Sequence, residues 1–171
     1  MSDHAPAPVA PFPWLDRLTG RVAIIGGALA LAVAGLVVAS VLGRWLFSSP
    51  VEGDFEFVRM GAAIAVFTYL PYTQARRGNI YVDTFSNWMS PRARAMLDAG
   101  WDLAFAAFMA LCAYGLFSGA RDAMRTGETT MQLQLAVWPA IMLCAALCTL
   151  LVLTCLASAI RLLNAGAEDR S

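Results

Sequence analysis

The sequence predicts an all-α integral membrane protein of four transmembrane helices, with a short interfacial amphipathic helix between the second and third. Three observations lead there. The 171 residues are 59% hydrophobic and 14% charged, with a mean hydropathy of +0.62. A soluble domain is nearer about 45–50% apolar and about 25% charged. Four long stretches carry no Asp, Glu, Lys, Arg or His. Lipid offers no partner to free backbone groups, so such stretches cross a bilayer as helices of about 20 residues.

Taken in order, residues 1–20 are a Pro/Ala-rich, flexible cytoplasmic N-terminus that holds the single histidine, His4. Residues 21–164 are the membrane domain, and 165–171 a cytoplasmic tail. The first uncharged run, 22–43, predicts a span over 22–44. It is far longer than the apolar core of a cleaved signal, about 7–15 residues, and polar sequence precedes it. The run 60–75, extended at its front by VEGDFEFVRMG, predicts a span over 55–76. The run 103–120 predicts a span over 99–121. The run 129–160 is densest after Leu135 and predicts a span over 135–160. Pro71 and Pro139 fall within the second and fourth spans and are expected to kink them. Gly35, Ala39 and Gly43, and likewise Gly115 and Gly119, recur at four-residue spacing, a pattern that lets helices approach closely.

All twelve basic residues are arginine. Eight of them (Arg17, Arg21, Arg76, Arg77, Arg92, Arg94, Arg161 and Arg170) lie on the side of the two termini and the loop between the second and third spans. Four (Arg44, Arg59, Arg121 and Arg125) lie on the other. This asymmetry puts both termini in the cytoplasm. In the loop, Val82, Phe85, Trp88 and Met89 share a helical face. They predict an amphipathic helix lying at the cytoplasmic interface, with Phe85 and Trp88 as anchors and Arg92 and Arg94 facing lipid headgroups. Ser90-Pro91 then reads as an N-cap followed by proline at the first helical position.

In VEGDFEFVRMG, three acids (Glu52, Asp54 and Glu56) and Arg59 crowd the front of the second span. Asp54 and Glu56 fall in the first turn, where negative charge complements the helix dipole. Glu56 and Arg59 are three apart and can pair, and Arg59, about one turn in, can snorkel outward. A pair at that depth prefers a protein neighbour to lipid. Glu56 and Arg59, together with Arg44, are therefore the candidate residues for stabilising the outer end or its contact with a partner.

The chemistry that is missing is also informative. The uncharged runs contain no ionisable residue of the kind that marks proton relays and ion paths. No phosphate-binding loop, HExxH or GxSxG motif occurs. Cys112, Cys144, Cys148 and Cys155 all lie in apolar segments and read as small packing residues. The chain is read as no enzyme, with no cofactor or metal and no nucleic-acid partner.

Several features line up along the chain: GRWLF at 43–47, GDFEFVRMG at 53–61, ARRGNIYVD at 75–83, SPRARAMLD at 90–98 and GETTMQLQLAVWP at 127–139. In this order the chain resembles the small membrane subunit of tripartite ATP-independent periplasmic (TRAP) transporters, the DctQ-like family, over roughly residues 20–164. Arg44, Trp45 and Phe47 match that family's Arg-aromatic-x-Phe, Glu56 its glutamate opening the second span, and Ile80, Val82 and Asp83 its stretch after that span. Asn79 stands where the family often has histidine, and Pro139 follows Trp138 instead of preceding it.

The resemblance implies a scaffold subunit in the bacterial inner membrane. It would pair with a large multi-span permease and be served by a periplasmic solute-binding protein. It would take part in sodium-coupled uptake of an organic acid. Arg44, Glu56, Arg59 and Asp83 are the structural or interface candidates. Two other readings share the four-span shape: an anchor subunit of an oxidoreductase complex, and a self-sufficient small exporter. The first would want ligand histidines, which the chain lacks, and the second a membrane-embedded carboxylate, which none of the four uncharged runs supplies.

Overall fold

A computed structural model describes residues 13–49, 51–76 and 91–168, with side chains except at 91–95 and 163–168. The described residues form four helices: α1 (Pro13–Phe47), α2 (Asp54–Ala75), α3 (Pro91–Thr126) and α4 (Trp138–Glu168). They neighbour one another in the order α1, α2, α4, α3. Asp16 near the start of α1 meets Arg161 of α4 across 3.4 Å. The beginning of α1 and the later part of α4 thus lie at one end of the bundle, here called proximal. The 48–53 and 127–137 connections meet at the other, distal end.

α1 and α2 form a tight antiparallel hairpin. A stripe of buried and half-buried positions on α1 runs through Leu15, Thr19, Val22, Gly26, Leu29, Val33, Leu36 and Ser40, alternating steps of three and four as in a coiled-coil seam. Asp54 touches Ser40, Gly61 faces Val33 and Thr68 faces Gly26. From Asp54 to Thr68 and from Ser40 back to Gly26, the two helices advance by equal numbers of residues. They therefore stay in register over about 20 Å, at ~1.5 Å per residue. Two glycines permit the approach. A Cβ on Gly61 would sit 2.6 Å from Val33 Cγ2, and one on Gly26 would overlap Thr68. The four-residue glycine pattern anticipated from sequence is not the contact: Gly35, Gly115 and Gly119 have nothing within 4 Å.

α3 and α4 are joined more extensively. On α3 the buried positions are Ala99, Asp102, Ala106, Ala113, Ala120 and Ala123, again a seven-residue repeat, with alanine at the points of closest approach. α4 answers with Cys144, Cys148, Leu151, Cys155 and Ser158. Small side chains on both helices bring the backbones together and maximise dispersion contact, the main force between helices in lipid. Leu70 of α2 joins the cluster of Ala106, Leu151 and Cys155. α4 is thus the central helix, with 44% of its apolar window buried, against 6% for α1. The cysteines are free, and the Cys148 thiol donates to the Met109 carbonyl at 3.3 Å.

Three helices, α1, α3 and α4, are long and apolar enough to cross a membrane. α2 has 22 residues, long enough at about 33 Å. It carries Glu56, Arg59, Gln74 and two tyrosines, so its composition alone does not qualify it. Pro91 opens α3, as its sequence implies. Pro71 is buried inside a continuous α2. Pro139 is the second residue of α4, where no backbone donor is lost to the helix and no kink is needed. The fourth helix therefore begins three residues later than the apolar run at 135 suggested. The interfacial helix expected around Phe85 and Trp88 lies outside the described residues.

Candidate functional site

Among the described residues, the distal end gathers most of the side-chain hydrogen bonds between elements. α3 ends in a Schellman cap: Gly127 is left-handed (φ 66°), and the Glu128 N–H donates to the Ala123 carbonyl at 3.0 Å. The connection then folds back on itself. Thr129 and Ala136 form an isolated antiparallel bridge. Thr130 N–H donates to the Leu135 carbonyl at 2.9 Å, and Leu135 N–H to the Thr130 hydroxyl at 3.0 Å. This small hairpin presents the main-chain N–H groups of Gln132 and Leu133 to the start of α2.

Glu56 accepts both of them. Its Oε1 takes the Gln132 N–H at 2.6 Å and its Oε2 takes the Leu133 N–H at 3.1 Å. The contact is reciprocal, since the Gln132 side-chain oxygen accepts the Gly53 N–H at 3.1 Å. Gly53 is the N-cap of α2 and has no side chain to cap with, so the connection supplies an acceptor from 79 residues away. Gly53 has φ 73°, and a Cβ there would sit 2.5 Å from Leu133 Cγ. Both the left-handed backbone and the seat for Leu133 require glycine. On the other side, Asp54 Oδ2 accepts from the buried Ser40 hydroxyl, while Oδ1 accepts the Phe55 N–H at 2.7 Å. The acidic stretch is therefore a clasp that binds α1, the entrance of α2 and the α3–α4 connection.

The expected Glu56–Arg59 pair is not formed: among the described residues no ion pair reaches Arg59. Both Glu56 oxygens are turned to the connection instead. Arg59 and Arg44 are exposed, and Arg44 lies in the last turn of α1, where a cation suits the dipole. Asp83, Phe85 and Trp88 lie outside the described residues. Arg92 and Arg94 fall in the first turns of α3. Among the described residues, no three His, Cys, Asp or Glu side chains gather as a metal site.

One polar pair was missed by counting uncharged runs. At the proximal end, Gln74 Nε2 of α2 donates to Asp102 Oδ1 of α3 at 2.8 Å, and the two residues are 1% and 2% exposed. Asp102 sits just outside the uncharged run 103–120, yet it falls on the same seven-residue face as Ala99, Ala106 and Ala113. A carboxylate on the packed stripe of a helix is itself the readable signal. Asp102→Leu is expected to destabilise the detergent-solubilised protein by about 2–4 kcal/mol, because it withdraws the acceptor from a buried amide and overfills an alanine-lined seam. Asp102→Asn should cost less. Thermal unfolding of both variants checks the ranking, and equal midpoints for wild type and Asp102→Leu would remove the pair from the stability argument.

The family model described as "Tripartite ATP-independent periplasmic transporters, DctQ component" matches residues 33–165. That span holds the second half of α1, all of α2 and α3, the clasp, and α4 almost to its end. No curated protein and no solved structure matches the chain.

Proposed function

The chain belongs to the DctQ-component family of TRAP transporters, and on that premise we propose that it is the scaffold subunit of a sodium-coupled importer of an organic acid. The family match over residues 33–165 is the observation that carries this reading. In it, the chain sits in the bacterial inner membrane with both termini in the cytoplasm. It binds a large multi-span permease that holds the substrate and sodium sites, and a periplasmic binding protein delivers the solute to the pair.

All four helices cross the bilayer in this proposal. α2 lies in register with the uncharged part of α1, Ser40 beside Asp54 and Gly26 beside Thr68, so it covers the same depth. The proximal end holds the start of α1 and the Arg161 region of α4 together, which suits an even number of crossings. The positive-inside rule then assigns the proximal end to the cytoplasm and the clasp to the periplasmic face. A subunit of this kind needs rigidity more than reactive groups. A clasp in which Asp54 and Glu56 are both engaged, over a core of alanine, cysteine and leucine, supports that role.

The test is to co-express the tagged chain with a large permease subunit from the same organism. Purification in mild detergent should recover both, and the pair in proteoliposomes should take up an organic acid only with the binding protein and an inward sodium gradient. Recovery of the tagged chain alone, or solute flux by the chain alone, would defeat the reading.

A further inference from the structure

α2 has three sides. One, with Gly61, Ala65 and Thr68, packs on α1. A second, with Leu70, Pro71 and Gln74, turns to α4 and α3. The third is open: Phe55, Arg59, Ala62, Val66 and Tyr69 are all exposed, at steps of four and three. This side differs from the open side of α1, where Ile24, Ile25, Leu31, Val38 and Val41 are aliphatic and suit lipid.

Arg59 is the anomaly on it. By the register of the hairpin it is level with Gly35, inside the uncharged run of α1. Its nearest acids along the helix are already engaged, Asp54 by Ser40 and the Phe55 N–H, and Glu56 by Gln132 and Leu133. An arginine at membrane depth with no ion-pair partner among the described residues calls for an anion from outside.

We infer that this third side of α2 is the seam for the large subunit, and that Arg59 pairs there with a carboxylate on a transmembrane helix of that subunit. The inference rests on the function proposed above. Ala62 and Val66 give the close, apolar part of the seam, and Arg59 its outer polar anchor. Arginine is suited to this, since it stays charged and offers a planar pair of donors to a carboxylate.

A photo-crosslinking residue at Ala62 or Val66, in the complex assembled in native membranes, tests the face; the same residue at Leu111 on α3 is the control. The expected result is an adduct with the large subunit from the two α2 positions and not from Leu111. Arg59→Ala and Arg59→Glu should each lower recovery of the large subunit roughly tenfold, while Arg59→Lys retains most of it. Adducts at α2 with lipid only, or with a second copy of this chain, would overturn the inference. So would an adduct from Leu111 alone. Unchanged recovery with Arg59→Ala would overturn the carboxylate. Should the wild-type chain recover no large subunit, the proposed function fails before this inference is reached.

Discussion

Glu56→Ala is expected to release the α3–α4 connection from the bundle without unfolding the helices. The carboxylate is the shared acceptor for two main-chain N–H groups, at 2.6 and 3.1 Å, and alanine leaves both to water. Hydrogen bonds to an ionised acceptor are stronger than neutral ones, and their loss falls where the bond was. Amide hydrogen exchange at Gln132 and Leu133 should therefore accelerate on the order of tenfold or more, while exchange in α3 and α4 stays near wild type. Glu56→Gln keeps one carbonyl acceptor and should fall between. Glu56→Asp keeps the charge but shortens the reach, and should behave more like alanine if geometry governs. Transport by the assembled complex should drop together with the protection of the connection. Wild-type exchange at both amides in Glu56→Ala would show that the internal bridge of the connection, Thr129 with Ala136, holds it unaided.

The acidic stretch shows how far the sequence could be read. The apolar runs and the capping signals are local, and local signals are legible: Pro91 opens α3, and Asp54 and Glu56 fall in the first turn of α2. The partner of Glu56 was not legible. Along the helix, Arg59 is the obvious counter-charge, three residues away. The structure instead supplies backbone N–H groups 76 and 77 residues distant, and main-chain donors leave no mark in a sequence. The seam between α3 and α4 was legible in principle, as alanine recurs every seven residues at 99, 106, 113 and 120. It was masked because α3 is alanine-rich on other faces too, so the repeat stands out only when burial is known. Asp102 was missed for a different reason, since a test for uncharged runs places any charge at the edge of a run outside it by definition.

The glycines give the sharpest separation between pattern and contact, and the second large expected effect. Gly26→Ala should destabilise the α1–α2 hairpin by about 1–3 kcal/mol, whereas Gly35→Ala, nine residues along the same helix, should be neutral or slightly stabilising. At Gly26 the new methyl would lie 2.7 Å from Thr68 Cβ and overlap its hydroxyl. Relief by rotating Thr68 is constrained, because that hydroxyl donates to the Ala65 carbonyl at 2.6 Å within α2. The helices must then part along a seam that stays in register for more than a dozen residues, so the strain spreads to Gly61 against Val33. At Gly35 a methyl meets nothing within 4 Å and gains the helix propensity that glycine lacks, about 0.5–1 kcal/mol in water. The opposite signs exclude an explanation from composition or propensity, which treats both substitutions alike. Thermal unfolding in detergent reads both variants. Combining Gly26→Ala with Thr68→Ala, which removes the overlapping hydroxyl, should recover part of the loss, with a coupling of about 0.5–3 kcal/mol if the two residues meet as described. Additive losses in the double variant, or a loss at Gly35 equal to that at Gly26, would place the closest approach of α1 and α2 elsewhere. Because α1 is held almost wholly by α2 and by the Asp16–Arg161 contact, such a shift would also move the depth assigned to Arg59, and with it the seam on the open side of α2.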